Sequence, residues 1–454
     1  MGNIVTRKLY QVRSHLTQTQ FIAYGFIGII LTGTLLLMLP FSSRNGEVSP
    51  FINCLFTATS ASCVTGLVVY DTWTHWSLFG QLVILTLIQI GGLGFITIGV
   101  FLSMILRRKI GLKERGLMQE SVNTLQIGGM VKLARKIIIG TAIFEGTGAL
   151  ILAIRFIPEL GILKGIYYGV FHSISAFCNA GFDLMGRQGA YSSLVNYYDD
   201  WTVNLVVMSL IVIGGIGFVV WDDLSRHGLK FNKYMLHTKI VVLTTFVLVF
   251  GGAYLFYRFE KDYLIAGMNP SGQILTSLFS SVTARTAGFN TVDTAKLTDA
   301  SKLLTVILMF IGGSPGSTAG GVKTTTIVVM YLYLRSTIQR SYGVNVFGRR
   351  LEDDAIKRAS TIFLINLTLA LTAAVYIMAG QQIPMSDVLF ETFSAIGTVG
   401  MTTGITRMLN PMSRLTIVFL MYCGRVGSLS FALSFTQGKR VAHVRQPEER
   451  INIG

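Results

Sequence analysis

Four short loops, each ending in glycine, recur at nearly even intervals along this chain and could bind an ion with their backbone. They read Cys63-Val64-Thr65-Gly66, Cys178-Asn179-Ala180-Gly181, Arg285-Thr286-Ala287-Gly288 and Gly397-Thr398-Val399-Gly400. A terminal glycine allows the backbone angles that turn a carbonyl toward an axis. In selectivity filters, rings of such carbonyls replace the water shell of an ion. The four loops therefore predict an ion filter that binds mainly through backbone carbonyl oxygens.

The residues in and around these loops favour a cation. No loop contains an acidic residue, which argues against a ring of carboxylates of the calcium-channel kind. A segment rich in Ser, Thr, Ala and Phe precedes each loop, and a helix there would direct its negative C-terminal dipole end at the ion. A single glycine at the end of each loop suggests a looser cage than a strict potassium filter, with weaker exclusion of sodium. Asp183, just after the second loop, is either an attractor of cations at the outer mouth or a plain solvated residue.

The composition is that of an integral membrane protein. Hydrophobic residues make up 51% of the chain and charged residues only 13%, and the mean hydropathy of +0.58 excludes an ordinary soluble enzyme. A membrane span needs about 20 mostly apolar residues. Eight stretches are predicted to span, at 21–39, 78–106, 137–157, 203–220, 239–257, 303–334, 362–379 and 415–435. Four shorter ones, at 51–62, 165–177, 272–283 and 385–396, are predicted to be re-entrant half-helices, which must be buried in protein or line water.

The chain is predicted to be one unit repeated four times: a span, a half-helix, a filter loop and a second span. Two crossings return the chain to its starting side, so the repeats are parallel and related by a pseudo-fourfold axis along the membrane normal. The expected fold is an all-α polytopic membrane protein around one central pore. Its parts are an N-terminal segment 1–20, repeats at 21–106, 107–221, 222–334 and 335–436, and a tail at 437–454.

The net charge of +16 is explained by membrane topology. Lys and Arg are concentrated at the start of the chain and after every second span, within 107–136, 226–239, 335–358 and 439–450. By the positive-inside rule both termini are cytoplasmic, in a multi-pass protein of the plasma membrane. No nucleic acid is needed to explain the charge. The first span is expected to be retained rather than cleaved.

The residue types of an enzyme or a metal site do not form a pattern. Cys54, Cys63, Cys178 and Cys423 lack CxxC spacing and are predicted to be unpaired thiols. The six histidines form no HExxH motif. Because no nucleophile and base come together, the chain is not expected to be an enzyme and is expected to bind no cofactor of its own.

A second glycine motif repeats in the outgoing spans, as Gly91-Gly92-Leu93-Gly94, Gly214-Gly215-Ile216-Gly217, Gly312-Gly313-Ser314-Pro315-Gly316 and Gly424-Arg425-Val426-Gly427. In the first two units it predicts close packing of unbroken helices, because small residues let helices approach. In the third unit it expands into Gly312-Gly313-Ser314-Pro315-Gly316-Ser317-Thr318-Ala319-Gly320-Gly321-Val322-Lys323-Thr324, which cannot continue a helix cheaply. This loop, called here the gate loop, is predicted to be a hinge or gate below the filter. A static kink is the alternative.

Arg425 occupies the position at which the first two units have Leu93 and Ile216. A charge at membrane depth costs at least about 3 kcal/mol unless it faces water or a partner. Two functions fit: an electrostatic barrier to cations, or a clamp that hydrogen-bonds carbonyls of the gate loop and holds it across the pore. A buried ion pair is the structural alternative. Lys323, at the end of the gate loop, could extend toward the cytoplasm.

Arg285 is the unexpected member of the filter loops, because a cation on the axis would repel it. We expect it to point behind the third loop and to brace it, by pairing with an acid such as Glu391 or by hydrogen-bonding carbonyls there.

Together these motifs resemble the Trk/Ktr/HKT superfamily of potassium transporters, and in particular its Ktr-type membrane subunit. The four loops are similar to its filters, 312–326 to its intramembrane gating loop, and Gly424-Arg425-Val426-Gly427 to the segment with its pore-facing arginine. Coverage runs from about residue 21 to 435, and one span precedes the first filter.

The resemblance implies uptake of potassium, bound at the filter residues, through a gated pore in each protomer of a homodimer. It also implies an octameric cytosolic ring of RCK-type nucleotide-binding subunits as a separate partner, with ATP or ADP bound on that ring, and stimulation by sodium. The basic cytoplasmic segments would be the docking surface for the ring, or would contact membrane lipid.

Two alternatives stay open from the sequence. A sodium-permeable or poorly selective cation pathway could use the same scaffold. An alternating-access carrier would need an unpaired carboxylate at mid-membrane, and the strongest candidate is Glu145 in the third span, outside the expected pore lining.

Overall fold

The computed structural model describes residues 17–106, 111–122, 129–341, 343–428 and 449. Its regular elements are helices, apart from a short hairpin of two strands with two residues each, β1 (Asn345–Val346) and β2 (Arg349–Arg350). Most of the predicted N-terminal segment and tail, and residues 429–435 of the eighth predicted span, lie outside the described residues.

Each of the four predicted units contains an incoming helix, a half-helix and an outgoing helix. The first unit has α1 (Gln18–Leu37), α2 (Phe51–Ser62), α3 (Leu78–Leu93) and α4 (Phe95–Ile105). After α5 (Leu112–Val122), the second has α6 (Met130–Leu160), α7 (Ile162–Phe177), α8 (Trp201–Gly215) and α9 (Phe218–His227). The third has α10 (Leu236–Glu260), α11 (Pro270–Thr283), α12 (Asp299–Phe310) and α13 (Thr324–Ile338), and the fourth α14 (Asp353–Gly380), α15 (Met385–Gly397) and α16 (Pro411–Val426).

The four outgoing helices begin in the same way, at a residue whose side chain accepts a backbone N–H of the first turn. These N-caps are Ser77, Asp200, Thr298 and Asn410. Such caps satisfy one of the N–H groups that a helix start leaves unpaired. The chain therefore re-enters a helix at a defined residue after each filter loop.

Among the described residues, fewer helices are long enough to cross a membrane than the sequence predicted. The helices α1, α6, α10 and α14 are long and apolar enough to span, and the pairs α3–α4 and α8–α9 pass only when each bent pair is taken together. The expectation that the spans 78–106 and 203–220 are unbroken is wrong: the pairs bend by 92° and 98°. The bends fall at Gly94 and Gly217, whose φ of +79° and +100° only glycine adopts without strain.

The expected close packing at the same glycine motifs is nevertheless present. A Cβ on Gly91 or Gly214 would collide with the carbonyl oxygen of Ser62 or Phe177, the last residues of α2 and α7. Gly424 stands in the same relation to Ile396 of α15. The motif thus lays each of these outgoing helices directly against the end of its half-helix, immediately below the filter loop.

The half-helices lie deep in the bundle, and almost every residue of their last two turns is buried. Polar backbone at the end of a buried helix must find partners inside the protein. The filter loops supply them.

Candidate functional site

The four filter glycines form a closed ring of contacts, each lying against a carbonyl of the neighbouring loop. A Cβ on Gly66 would lie 2.5 Å from the carbonyl oxygen of Ala180, and one on Gly181 would lie 2.5 Å from that of Ala287. In the same way Gly288 abuts the carbonyl of Val399, and Gly400 abuts that of Thr65. Each loop therefore touches the next in chain order and the fourth touches the first. Any side chain at these glycines would occupy the space of a neighbouring carbonyl.

The second residue of every loop is a non-glycine residue in the left-handed region. These residues are Val64, Asn179, Thr286 and Thr398, with φ of +52°, +58°, +74° and +50°. Each such conformation costs on the order of 1–3 kcal/mol, so it persists only where the surroundings enforce it. Reasoning from the sequence placed these residues in the filter loops but did not predict their left-handed conformation, because three of the four are β-branched residues that disfavour this region.

A Schellman motif produces this conformation at three of the loops. The N–H groups of Thr65, Ala180 and Val399 each donate to the carbonyl five residues earlier, at 2.8 Å. This closure ends the half-helix and places its next residue in the left-handed region. The third loop differs, because Ala287 N–H donates to Thr283, four residues earlier, at 2.9 Å.

Two serines tie the filter glycines to their half-helices. Gly66 N–H donates to Ser60 Oγ and Gly400 N–H to Ser394 Oγ, both at 3.0 Å. The second loop has Ser175 at this repeat position, but its hydroxyl has no hydrogen-bond partner among the described residues. The third loop has Val282 there. Loops one and four are thus held by a side-chain bond that loops two and three lack.

An outer cavity of about 310 Å3 opens above the ring, and all four filter glycines line it. Asp71, Asp183, Asp293 and Arg407 also line it. Burial raises the pKa of Asp183 to about 7, as does the nearby Asp71, while a hydrogen bond from Met185 N–H opposes the rise. Arg407 lies over the Tyr191 ring at 4.2 Å. Three carboxyl groups against one guanidinium make this cavity attractive to cations.

The gate loop lies below the ring and bonds to two other units, the second and the fourth. Ser314 N–H donates to Gly215 O at 2.9 Å, and the Thr318 hydroxyl donates to Phe177 O at 3.1 Å. On the opposite side, Gly321 N–H donates to Gly424 O at 3.2 Å. The loop therefore extends from the second unit to the fourth beneath the filter.

Arg425 joins the gate loop to the first unit. Its guanidinium donates to the carbonyl of Thr318 in the loop and to those of Gly91 and Gly92 at the bend of the first outgoing helix, the last at 3.0 Å. No acidic side chain pairs with it within the described part of the chain. Of the interpretations made from the sequence, the clamp has direct contacts and the buried ion pair has none.

Lys323 does not extend toward the cytoplasm as the sequence suggested. Its ammonium donates to the carbonyls of Ala319 at 2.7 Å and Gly320 at 3.2 Å. The broken loop leaves these carbonyls without helical partners, and Lys323 satisfies them from within the loop. Unlike Arg425, it ties the gate loop only to itself.

The expected pairing of Arg285 with Glu391 is not formed. Arg285 lies behind the third loop, is 6% exposed, and donates to Thr245 of α10 at 3.5 Å. Glu391 is fully buried in α15 and accepts from the hydroxyls of Thr402 at 2.6 Å and Thr406 at 2.5 Å. The carboxyl group finds enough donors in the segment after its own filter loop, so it does not reach the arginine of the neighbouring unit.

His172 was missed from the sequence, although it has the same repeat position as Glu391, nine residues before the filter glycine. Its Nε2 accepts from Leu184 N–H at 3.3 Å, which leaves Nδ1 to donate to Tyr168 O at 2.8 Å. Both side chains thus hold the segment that follows their filter loop. Aligning the four units on their glycines would have drawn attention to both residues.

Comparison with known proteins gives consistent matches. A family model described as TrkH, cation transport protein, matches residues 4–442. The chain is 40% identical to the potassium/sodium uptake protein NtpJ of Enterococcus hirae over 98% of this chain and 99% of that protein. It is 38% identical to the Ktr system potassium uptake protein B of Bacillus subtilis, over 96% and 97% of the two chains.

A solved structure shares the fold. The potassium transporter TrkH from Vibrio parahaemolyticus superposes with a TM-score of 0.69, covering 91% of this chain and 85% of that chain at 18% sequence identity.

Proposed function

The chain belongs to the TrkH family of cation transport proteins, and from that membership we propose that it takes up potassium ions through a single pore. The path runs from the outer cavity through the ring of filter loops to the gate loop. The observation that carries this proposal is the closed contact of the four filter glycines, each against the carbonyl of the next loop. Such a ring presents backbone oxygens to an ion that has left its water.

The pore has pseudo-fourfold symmetry in this proposal. The equivalent contacts of Gly91, Gly214 and Gly424 with the ends of their half-helices support it, as do the left-handed residues at one position of all four loops. The ion is held mainly by carbonyl oxygens of the loops described above, while side chains of the half-helices keep those oxygens in place.

The gate loop and Arg425 are the gate. With the loop bonded to the second and fourth units and the arginine bonded to the first, the pathway below the filter is crossed by backbone. Opening requires these bonds to break together, which an outside partner could drive by pulling on the cytoplasmic helices.

That partner is a separate cytosolic ring of RCK-type nucleotide-binding subunits, on which ATP or ADP binds, and the membrane chain is a homodimer. The support is the name of the Bacillus subtilis relative, Ktr system potassium uptake protein B, which makes that protein one part of a Ktr system. Stimulation by sodium, cytoplasmic termini and a plasma-membrane location complete the proposal. Basic cytoplasmic segments would contact the ring or anionic lipid.

A sodium-permeable pathway on the same scaffold is the second candidate. The Enterococcus hirae relative is named for both potassium and sodium, and each loop has a single axial glycine. An alternating-access carrier has less support, because Glu145 contacts the back of a filter loop rather than the outer cavity or the gate loop.

The test is cation flux into liposomes that contain the purified chain, with potassium, rubidium and sodium compared in parallel. Flux that prefers potassium and rises in Arg425→Ala would support the pore and its gate. Equal potassium and sodium flux would favour the second candidate. Adding the nucleotide-binding partner with ATP or ADP then tests regulation, and a ring without effect on flux would contradict that part of the proposal.

A further inference from the structure

A polar cluster lies behind the second filter loop, where it contacts neither the outer cavity nor the gate loop. It consists of Glu145 in α6, Gln89 in α3 and Cys178, the first residue of the loop. Gln89 Nε2 donates to Glu145 Oε2 at 3.1 Å. The Cys178 thiol lies 3.8 Å from Glu145 Oε1 and 3.6 Å from Gln89 Oε1, within the range of its weak hydrogen bonds. Two helices from different units and a filter loop therefore meet at one carboxyl group.

The cluster has little freedom to shift. A Cβ on Gly92 would lie 2.6 Å from Cys178 Sγ, so the thiol is already packed against the bend of the first outgoing helix. Ser173 Oγ donates to the backbone carbonyl of Glu145 at 2.7 Å, which joins α6 to α7 at the same level. The position of the Glu145 side chain is thus transmitted directly to Cys178.

The second loop has particular need of such support. In the first and fourth loops a serine hydroxyl accepts the N–H of the filter glycine. The corresponding Ser175 hydroxyl has no partner among the described residues. Contacts from behind, at Cys178, replace the missing tie.

The charges around Glu145 leave it without a paired cation among the described residues. Gln89 faces it from α3 and the Cys178 thiol from the loop. Arg425 of α16 lies beyond, with its donors directed at the Gly91 and Gly92 carbonyls. The sequences of α4 and α8 contain no titratable side chain, and on the cytoplasmic side Asp222 of α9 pairs with Lys136. Glu145 is therefore held by its hydrogen bonds to Gln89 and Cys178 rather than by an ion pair.

We propose that Glu145 is a positioning residue for the second filter loop: its carboxyl group holds Cys178 so that the loop carbonyls stay in the ring, and loss of these contacts lowers the preference for potassium over sodium from behind the filter. This inference rests on the proposed potassium pathway.

The test compares Glu145→Ala and Glu145→Gln with wild type in liposomes, measuring the potassium-to-sodium flux ratio. Loss of the contacts in Glu145→Ala should lower the ratio about threefold to tenfold, the effect of losing roughly one hydrogen bond. Glu145→Gln keeps the shape and an acceptor oxygen, so it should keep the ratio near the wild-type value.

Glu260→Gln is the matched control. Glu260 is a fully buried carboxyl group in α10 that accepts from Thr298 and Leu264 and contacts no filter residue. Neutralising it should change thermal stability but not the flux ratio. If Glu145→Ala does not fold, Gln89→Met removes the same support from α3 and should lower the ratio.

Two results would overturn the inference: a wild-type flux ratio in folded Glu145→Ala and Gln89→Met, or a ratio in Glu145→Gln as low as that in Glu145→Ala. Absence of potassium flux both in the wild-type chain with its nucleotide-binding partner and in Arg425→Ala would instead defeat the proposed function. The two failures are therefore distinguishable.

Discussion

Replacing Arg425 with alanine should open the pathway below the filter. In the closed arrangement the guanidinium donates to three carbonyl oxygens, those of Thr318, Gly91 and Gly92. A hydrogen bond from a charged donor contributes about 1.5–3 kcal/mol net. We assume that water satisfies the freed carbonyls and that only one such bond contributes to the stability of the closed state. The closed state is then destabilised by about 1.5 kcal/mol, and the ratio of open to closed forms rises roughly tenfold.

The assay is potassium flux into liposomes at equal protein density, with the melting temperature measured to confirm folding. Arg425→Lys separates the two functions of this side chain. Lysine keeps the positive charge but cannot reach all three carbonyls with a planar fork. A clamp therefore predicts high flux in both variants, whereas an electrostatic barrier predicts high flux in alanine and low flux in lysine. Lys323→Met is the control, because Lys323 bonds only within the gate loop.

Flux in Arg425→Ala equal to wild type, from a protein that melts normally, would refute the clamp. A rise in flux in Lys323→Met as large as that in Arg425→Ala would also count against it. In that case general loosening of the gate loop, rather than the bond to the first unit, would control the pathway.

Three further predictions concern the filter and its outer cavity. Gly288→Ser should lower the potassium-to-sodium flux ratio, because a side chain there meets the next loop's carbonyl at a φ of +86°; an unchanged ratio would mean that this loop does not face the ion. Ser394→Ala should lower the free energy of unfolding by about 1–3 kcal/mol, because it leaves Gly400 N–H unsatisfied. Ser175→Ala should melt like wild type, because the Ser175 hydroxyl has no partner among the described residues. With a pKa raised to about 7 by burial, Asp183 is charged above that pH and neutral below it, so potassium uptake from dilute solution should fall as the external medium is acidified. The fall should be up to the order of tenfold and absent in Asp183→Asn, and a pH profile unaffected by that substitution would exclude Asp183 as the attractor.

The break in the third outgoing span could be predicted from the sequence, whereas the bends in the first two outgoing spans could not. The expanded third motif contains enough glycine, proline and hydroxyl residues to predict a break in the helix. The structure has this break, between α12 and α13. The bends at Gly94 and Gly217 were not predicted, since small residues in an apolar span are also explained by close packing of a continuous helix. At Gly217 the second outgoing helix meets the gate loop, and Phe218 N–H donates to Gly316 O at 2.7 Å.

The sequence by itself determined the membrane class and predicted the repeated unit and the filter glycines, because hydropathy, period and residue type can be read directly along the chain. Only the tertiary structure decided how the units support one another. It placed Arg425 on carbonyls of the first unit rather than on an acid, gave Glu391 to Thr402 and Thr406 rather than to Arg285, and brought Glu145 behind Cys178. These partners lie on different helices, and several lie in different units. Which acceptor a buried donor finds depends on the packing of those units around the ring, and no spacing along the chain records that.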